Sequence, residues 1–376
     1  MATTASSSLQ KTFKFKLYQS DKNERIHTLI ELSAEIYNHC IALHKRYYRF
    51  YKKHLTKYTL QKHITKIKAR YKQHWFNLPS QSIQQITERI DNAYQRFYDY
   101  IKQRKQGLKP ATRVSPPNFK KRIKYKSFTL KQVACKIEDG KITINKHQYR
   151  YFDSRIIEGK INTITVKRDS LGDIYLSVTT TLATINPRLP MTGNSAGFDF
   201  GLKQFLTSSD ELIPTSDLAM IRTFLTNAAK LRKAQQKLSR KQKGSNHRKQ
   251  AKLGVARLHK KIANQREFYH HRIANLLLST YDIAYFETLN IKAMQKVWGK
   301  KISDYGFSEF LKILEAKAAG NDKHIGFIDK WYPSSKTCSA CGEINQKLTL
   351  RNIHRVGVST LSLGNVRPHL VEAIPA

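Results

Sequence analysis

Acid is what this 376-residue chain is short of: 27 Asp and Glu stand against 68 Lys and Arg, a formal net charge of +41. So positive a surface repels itself until it meets a polyanion, and solubility needs far less, so nucleic acid is the expected partner. Cysteine is scarce as well, and four in a chain of this length make no disulfide framework. An apolar run of about 18 residues is missing, as is an amphipathic helix with a clean apolar face, which sets a membrane aside as partner. The opening "MATTASSSLQ" lacks the charged and apolar regions of a secretory leader, and a cytoplasmic, nucleoid-associated protein is the expectation. No internal repeat is visible. What is present, 40% hydrophobic residues, suffices for the cores of two or three domains.

After the polar leader, "KTFKFKLY" alternates apolar and basic residues with period two, as an edge strand of a basic sheet does. From about Asp21 to Gln106 the pattern turns helical, with Leu29, Leu32, Ile36, Cys40 and Leu43 on one stripe. "HKRYYRFYKKH" and "QRFYDYIKQRKQ" interleave aromatics with cations, a composition that can stack on unpaired bases while holding phosphates. Tyr47, Phe50, Tyr94 and Tyr98 could equally be ordinary core residues. "GLKPATRVSPPNFKKRIKYK" reads as a linker. Strands return in "SFTLKQVACKIEDGKITINKHQYRYF" and "INTITVKRDSLGDIYLSVTTTLA", with turns at Asp139-Gly140 and at Ser170 to Asp173. An antiparallel sheet or small barrel is expected there, completed by the N-terminal strand, with the helical block inserted. Beyond a second linker, "NPRLPMTGNSA", come two strands in hairpin spacing, basic helices over about 217–243 and 246–280, the strand "YDIAYFETLN", a helix over about 307–319 and the strand "HIGFIDKWY". That order is an α/β pattern.

In "GFDFG" the apolar Ala196, Phe198 and Phe200 share one strand face, leaving Asp199 on the other between two glycines, open to a metal or a phosphate. In "IAYFETL" the same parity separates Ala284, Phe286 and Thr288 from Ile283, Tyr285 and Glu287. Carboxylates at the ends of central α/β strands lie where ligands bind, and Mg²⁺ favours such oxygens. An exposed aspartate and a helix-capping glutamate would account for the same spacing.

"GFDFGLKQF", "YFETLNIKAM" and "SSKTCSACG", in this order and at these separations, resemble the signature of the transposon-encoded TnpB (OrfB) family, relatives of type V CRISPR effectors. "YNHCIALHKRYY" and "SPPNFKKR" are similar to it less specifically. The resemblance implies an RNA-guided DNA endonuclease with guide RNA and target DNA as partners. It also implies a multidomain α+β fold: a wedge-like antiparallel β-barrel (1–20 and 119–190) with an inserted helical recognition domain and linker (21–118). A RuvC-like, RNase H-like α/β nuclease domain (191–332) would follow, then an incomplete zinc ribbon (333–351) and a C-terminal remnant (352–376). Asp199 and Glu287 match the first two of three acidic residues of the family's Mg²⁺ site, and Cys338 and Cys341 match half of its Zn²⁺ ribbon.

The other half of that ribbon and the third acid are missing. Zn²⁺ needs four tetrahedral ligands, yet no cysteine follows Cys341, and His354 and His369 have no finger-like spacing. "LTLR" runs directly into "NIHRVGVSTLSLG", which is similar to family sequence beyond the lost Asp motif, so an internal segment of about twenty to thirty residues, enough for a second CxxC pair, is absent. Glu343, Glu372 and Asp329 are poor surrogates for the lost carboxylate. The expectation is an RNA-guided DNA binder that cleaves weakly or not at all and holds zinc and Mg²⁺ poorly. A nuclease-dead repressor and a decaying transposon relic are the alternatives.

Overall fold

The computed structural model describes residues 9–329, apart from 109–111, 132–134, 183–188, 202–203, 211, 215, 217 and 219–222. The chain divides into two compact units, at Thr184 and Ile185.

In the first unit β1 (Leu9–Lys16) carries out its alternation, burying Phe13 and Phe15 while Lys14 faces outward. It pairs antiparallel with β7 (Ile174–Leu182), which pairs with β6 (Lys160–Arg168) and that with β2 (Ser127–Lys131), in the order β1-β7-β6-β2. Between β1 and β2 the chain forms α1 (Asn23–Tyr51), α2 (Lys57–Arg70), a 3₁₀ turn (Gln73–Asn77) and α3 (Ser80–Lys105). The stripe from Leu29 to Cys40 is buried, in one core with Ile83, Ile86 and Ile90 of α3 and Phe128 and Leu130 of β2.

A second small sheet consists of β3 (Cys135–Glu138), β4 (Lys141–Ile144) and β5 (His147–Arg150). Its first turn, Asp139-Gly140, has φ of 47° and 68°, and its second, Asn145-Lys146, 48° and 65°. Both positive values are those of a type I′ turn, whose twist matches the strands it joins. Among the described residues the expected barrel does not close. The four-stranded sheet has β1 and β2 as its outer strands, and beside the Leu17–Tyr151 bridge Phe152 N donates to Lys16 O and Tyr18 N to Arg150 O, linking it to the smaller sheet.

The helical core holds polar groups that no sequence periodicity announces. His44 is buried, stacked on Tyr94 at 3.8 Å, and its Nε2 lies 2.8 Å from His54 Nδ1, while His54 Nε2 lies 3.0 Å from Asp91. A carboxylate only accepts, so His54 donates from Nε2 and its bare Nδ1 accepts from His44 Nε2–H. His39 and His63 meet similarly, Nε2 to Nε2 at 3.0 Å. Each pair needs at least one bare ring nitrogen to accept. Burial, with help from His54, pushes His44 down to about 4 although Asp91 acts against the shift. Burial and neighbouring cations also lower His39 and His63.

In the second unit β8 (Ser195–Phe200) turns into β9 (Leu206–Ser208). Helices α4 (Thr223–Ser239) and α5 (Asn246–Thr280) follow, then β10 (Ile283–Glu287), α6 (Ile291–Tyr305), α7 (Phe307–Ala319) and β11 (His324–Ile328). The sheet order is β11-β10-β8-β9, with β10 parallel to both neighbours and β9 antiparallel to β8. The α5 and α7 bounds coincide with those read from the pattern. Ser245 caps α5, accepting from Arg248 N at 3.2 Å, but α4 ends at Ser239, short of the expected 243. Arg248 closes that earlier end by donating to the carbonyls of Leu238 and Lys241. Phe198, Phe200, Phe205, Phe286, Phe307 and Phe310 form the centre of the core.

The entry end of this sheet is held by charge. Lys323, with a fully buried side chain, reaches Asp282 at 3.0 Å and donates also to the carbonyls of Leu278 and Tyr281. Asp282 in turn accepts from the backbone of Thr192 and Gly193. Desolvation opposes the charge on Asp282, but Lys323 and those amides outweigh it and hold the carboxyl below its ordinary range.

Two outcomes follow from these polar cores. An unfolded histidine takes up a proton near pH 6.5 and folded His44 only near 4, so the first unit loses about 1.4 kcal/mol per pH unit for this residue as pH falls through that window. Chemical denaturation at pH 7, 6 and 5 measures it, and His44→Phe, which keeps the stack on Tyr94, flattens the slope. Asp282→Asn strands the buried Lys323 ammonium and costs about 3–5 kcal/mol. Adding Lys323→Met to that variant recovers most of the loss in the same denaturation assay.

Candidate functional site

The register of the parallel pair decides where the carboxylates stand. Phe198 lies opposite Phe286, their rings stacked at 5.4 Å, and both are buried on the core side. One residue further along each strand, alternation turns Asp199 and Glu287 together to the other face at the C-terminal ends of neighbouring strands. Asp199 is solvent-exposed and Glu287 half-buried. Enough protein surrounds the Asp199 carboxyl that desolvation, joined by the charge of Glu287, pushes it up to about 6, against the pull of a backbone hydrogen bond at Phe200.

Small residues shape this face. Gly201 sits two positions beyond Asp199, and a Cβ there would come within 2.7 Å of the Gln204 carbonyl oxygen. On β11, Gly326 lies beside Tyr285, and a Cβ there would collide with the Tyr285 ring. The absent side chain lets that ring lie over the neighbouring strand, two residues before Glu287. The motif "GFDFG" signals the first glycine. The second has no signal beyond its strand, because the neighbour that needs it is 41 positions away in the chain, at Tyr285.

Other acids of the sheet are engaged elsewhere. Asp210 accepts from Tyr281 Oη at 2.5 Å and from Ser208 Oγ at 2.9 Å, and Asp282 holds Lys323. Asp329 follows Ile328, the residue paired with Glu287, and is exposed. Among the described residues no three His, Cys, Asp or Glu side chains gather as a metal site. A pair of carboxylates, one pushed towards protonation by burial and then by its neighbour's charge, has the donor chemistry for a hard cation such as Mg²⁺ but supplies few oxygens for two. Cys338, Cys341, Glu343, His354, His369 and Glu372 lie outside the described residues. Of the remaining thiols, Cys40 is buried, which pushes it up to about 12 and keeps it inert.

Of the four aromatics singled out on the basic helices, Phe50 stands at the surface and the other three pack on the core. Tyr94 is buried against His44, and Tyr47 and Tyr98 pack half-buried on the core. Phe50 is exposed, with Tyr51, Tyr58, Tyr71 and Phe76. Lys68 stands 4.2 Å over the Phe76 ring and Lys57 5.3 Å over Tyr58. On the sheet, exposed Tyr18 and Phe152 stack at 3.8 Å with Arg150 above Tyr18. Among the described residues no helix is long and apolar enough to cross a membrane.

Known proteins resemble both units. The chain has the fold of Cas12f1, of mixed α/β content: a Cas12f1–sgRNA–target DNA complex superposes with a TM-score of 0.57 over 95% of this chain and 97% of that one, at 13% identity. A family model described as a probable transposase, OrfB_IS605, matches residues 172–298, and a Cas12f1-like TNB domain model matches 307–362. A Streptomyces pristinaespiralis protein named "Putative RNA-guided DNA endonuclease" is 34% identical over 50% of this chain and 46% of its own. One from Escherichia coli K12, of the same name with the suffix InsQ, is 27% identical over 70% and 66%. The matches thus span about half to two thirds of those relatives. In sequence the chain is similar to the probable transposase OrfB_IS605 and to proteins named RNA-guided DNA endonucleases, and in fold to Cas12f1.

Protonation of Asp199 competes with any cation the pair would take, so apparent Mg²⁺ affinity by calorimetry falls about tenfold from pH 7 to pH 5. The raised carboxyl also makes Asp199 a net destabiliser above pH 6, a penalty that disappears below the unfolded value near 4. Asp199→Asn therefore raises the melting temperature at pH 7.5 and leaves it unchanged at pH 4.

Proposed function

We propose that this protein is an RNA-guided DNA-binding member of the TnpB family whose nuclease centre is incomplete. The single observation that carries the reading is the adjacent pair Asp199 and Glu287, which no third carboxylate joins among the described residues. In this reading residues 191–332 are a RuvC-like domain, and Asp199 and Glu287 are the residues that would hold Mg²⁺. When bound, Mg²⁺ supplies charge neutralisation and polarisation at a scissile phosphate. The chain's own part is to fix the two carboxylates through the β8–β10 register and to keep the face open beside Gly201.

Guide RNA and target DNA are the partners this reading assigns. It draws on the net charge of +41, on the exposed aromatics under lysines, and on the Cas12f1 neighbour, which was solved with sgRNA and target DNA. Cys338 and Cys341 serve as half a ribbon and hold zinc loosely. That Asp199 and Glu287 are both intact counts against a long-settled repressor, which could have drifted at both positions.

With its guide RNA and Mg²⁺, the chain is expected to cleave matched DNA at least about 10 to 100-fold more slowly than a version carrying a restored Asp motif and second CxxC, since even outer-shell losses cost that much. Elemental analysis is expected to find well under one zinc per chain before restoration and one after. Comparable cleavage by the unrepaired chain, abolished by Asp199→Ala, would reveal a surrogate carboxylate and overturn the proposal.

A further inference from the structure

Two imidazoles meet between α1 and α2 in a way that a hydrogen bond explains only in part. His39 Nε2 faces His63 Nε2 at 3.0 Å, with the rings 15° from parallel. Only one of the two nitrogens can donate, so the other ring must carry its proton on Nδ1. Among the described residues no hydrogen bond fixes Nδ1 of either ring. The neighbouring pair differs, because Asp91 holds the far nitrogen of His54 and so assigns its proton, while His44 is buried. Glu35, one turn before His39 on α1, is engaged by Trp75 Nε1, His74 and Lys72 instead. The buried Trp75 meets the His39 ring edge-on at 5.2 Å and fixes its plane.

Two Nε2 atoms at this separation suit neighbouring corners of one metal ion. With imidazole bonds of about 2.0–2.1 Å, nitrogens at adjacent corners of a square or octahedron stand about 2.9 Å apart, and those of a tetrahedron about 3.4 Å. The observed 3.0 Å is nearer the square or octahedral arrangement that Cu²⁺ and Ni²⁺ take, and imidazole suits both ions. Burial comes first among the causes that hold both rings below the ordinary imidazole range, so they are neutral ligands at pH 7. Both are only half-buried, which lets an ion enter and water complete its shell. No third His, Cys, Asp or Glu joins them among the described residues. Arg46, Lys66 and Lys72 repel a dication there and Glu35 attracts it, so the ion is held reversibly.

Independently of the proposed function, we infer that His39 and His63 form a site for a late transition-metal dication, Ni²⁺ or Cu²⁺ rather than Mg²⁺ or tetrahedral Zn²⁺, that clips α2 to α1. The ion takes the place of the proton between the rings. That proton moves to Nδ1 of its own ring, so none is released and no oxidation state changes. The clip joins positions 24 apart in the chain, and α2 otherwise packs mainly on α3. A cross-link of this kind, made only in the folded state, adds its binding free energy to the stability of the first unit.

The test uses the untagged full chain carrying Cys338→Ser and Cys341→Ser, which removes thiolates that would compete for the ion. Titrated with NiCl₂ at neutral pH in a calorimeter, this parent chain is expected to bind a Ni²⁺ that excess Mg²⁺ does not displace, and to melt higher with Ni²⁺ than in EDTA. Adding His63→Gln, whose amide can keep a hydrogen bond to His39, should weaken that binding at least about tenfold, since even outer-shell losses cost 10 to 100-fold. It should also cancel the rise in melting temperature. The electron paramagnetic resonance spectrum of the parent with one equivalent of Cu²⁺ is expected to show two imidazole nitrogens. If His63→Gln melts below its parent in EDTA, that spectrum decides. No Ni²⁺ binding by the parent, undiminished binding by both His63→Gln and His39→Gln, or a Cu²⁺ spectrum without two imidazole nitrogens overturns the inference. No nucleic acid enters the experiment, so none of these outcomes bears on the proposed function.

Discussion

Lys323 is buried at the entry end of the parallel sheet, where it ties Asp282 to the end of α5 while the aspartate gathers the amides that lead into β8. The strands therefore start level. Each later pair along β8 and β10 inherits that start, through Phe198 on Phe286 and on to Asp199 beside Glu287. A slip of one residue in either strand would turn its carboxylate into the aromatic core. The chemistry at one end of the sheet thus depends on a salt bridge at the other, and the phenylalanines between them make the slip costly by filling the space.

Positive charge is handled in two ways in this molecule. Where cations stand over rings, as at Lys68 and Phe76, the surface offers both a charge and a flat apolar contact. Where they stand alone, as along residues 230–261, only charge is offered. The carboxylate pair is the inverse case, a concentration of negative charge in a protein with little of it, at a point where the surroundings already disfavour ionisation. Both features are unfavourable in the isolated chain and become favourable when a counter-charge arrives.

The parts of the fold that could be read from sequence are those whose cause is local. The alternation of "KTFKFKLY", the Asp139-Gly140 turn, the bounds of α5 and the parity around Asp199 and Glu287 depend on neighbours a few residues away, and the structure repeats them. The division of strands into two open sheets was not legible, because the Asn145-Lys146 turn uses residues with weak turn signals and because closure depends on long-range pairing. Nor was the role of Tyr94, since α3 carries aromatics on both its faces and only the position of His44 decides which is inside. The His44–His54–Asp91 chain joins residues 10 and 37 positions apart in sequence, and no helix or strand spacing reaches that far. Helices α4 and α5 were visible as a basic pair.

The pairing of Leu9 with Leu182 has a consequence in time. When β1 leaves the ribosome its partner strand has yet to be made, and at about 5–20 residues per second the wait is on the order of ten to thirty seconds. Throughout it β1 is an edge strand with nothing to pair with, and its lysines at positions 11, 14 and 16 are what keep such an edge from joining another chain. The helices from Asn23 to Lys105, whose contacts are mostly among themselves, can form during that wait. The first strand of the chain therefore has to wait for β7, the strand it pairs with, to be made.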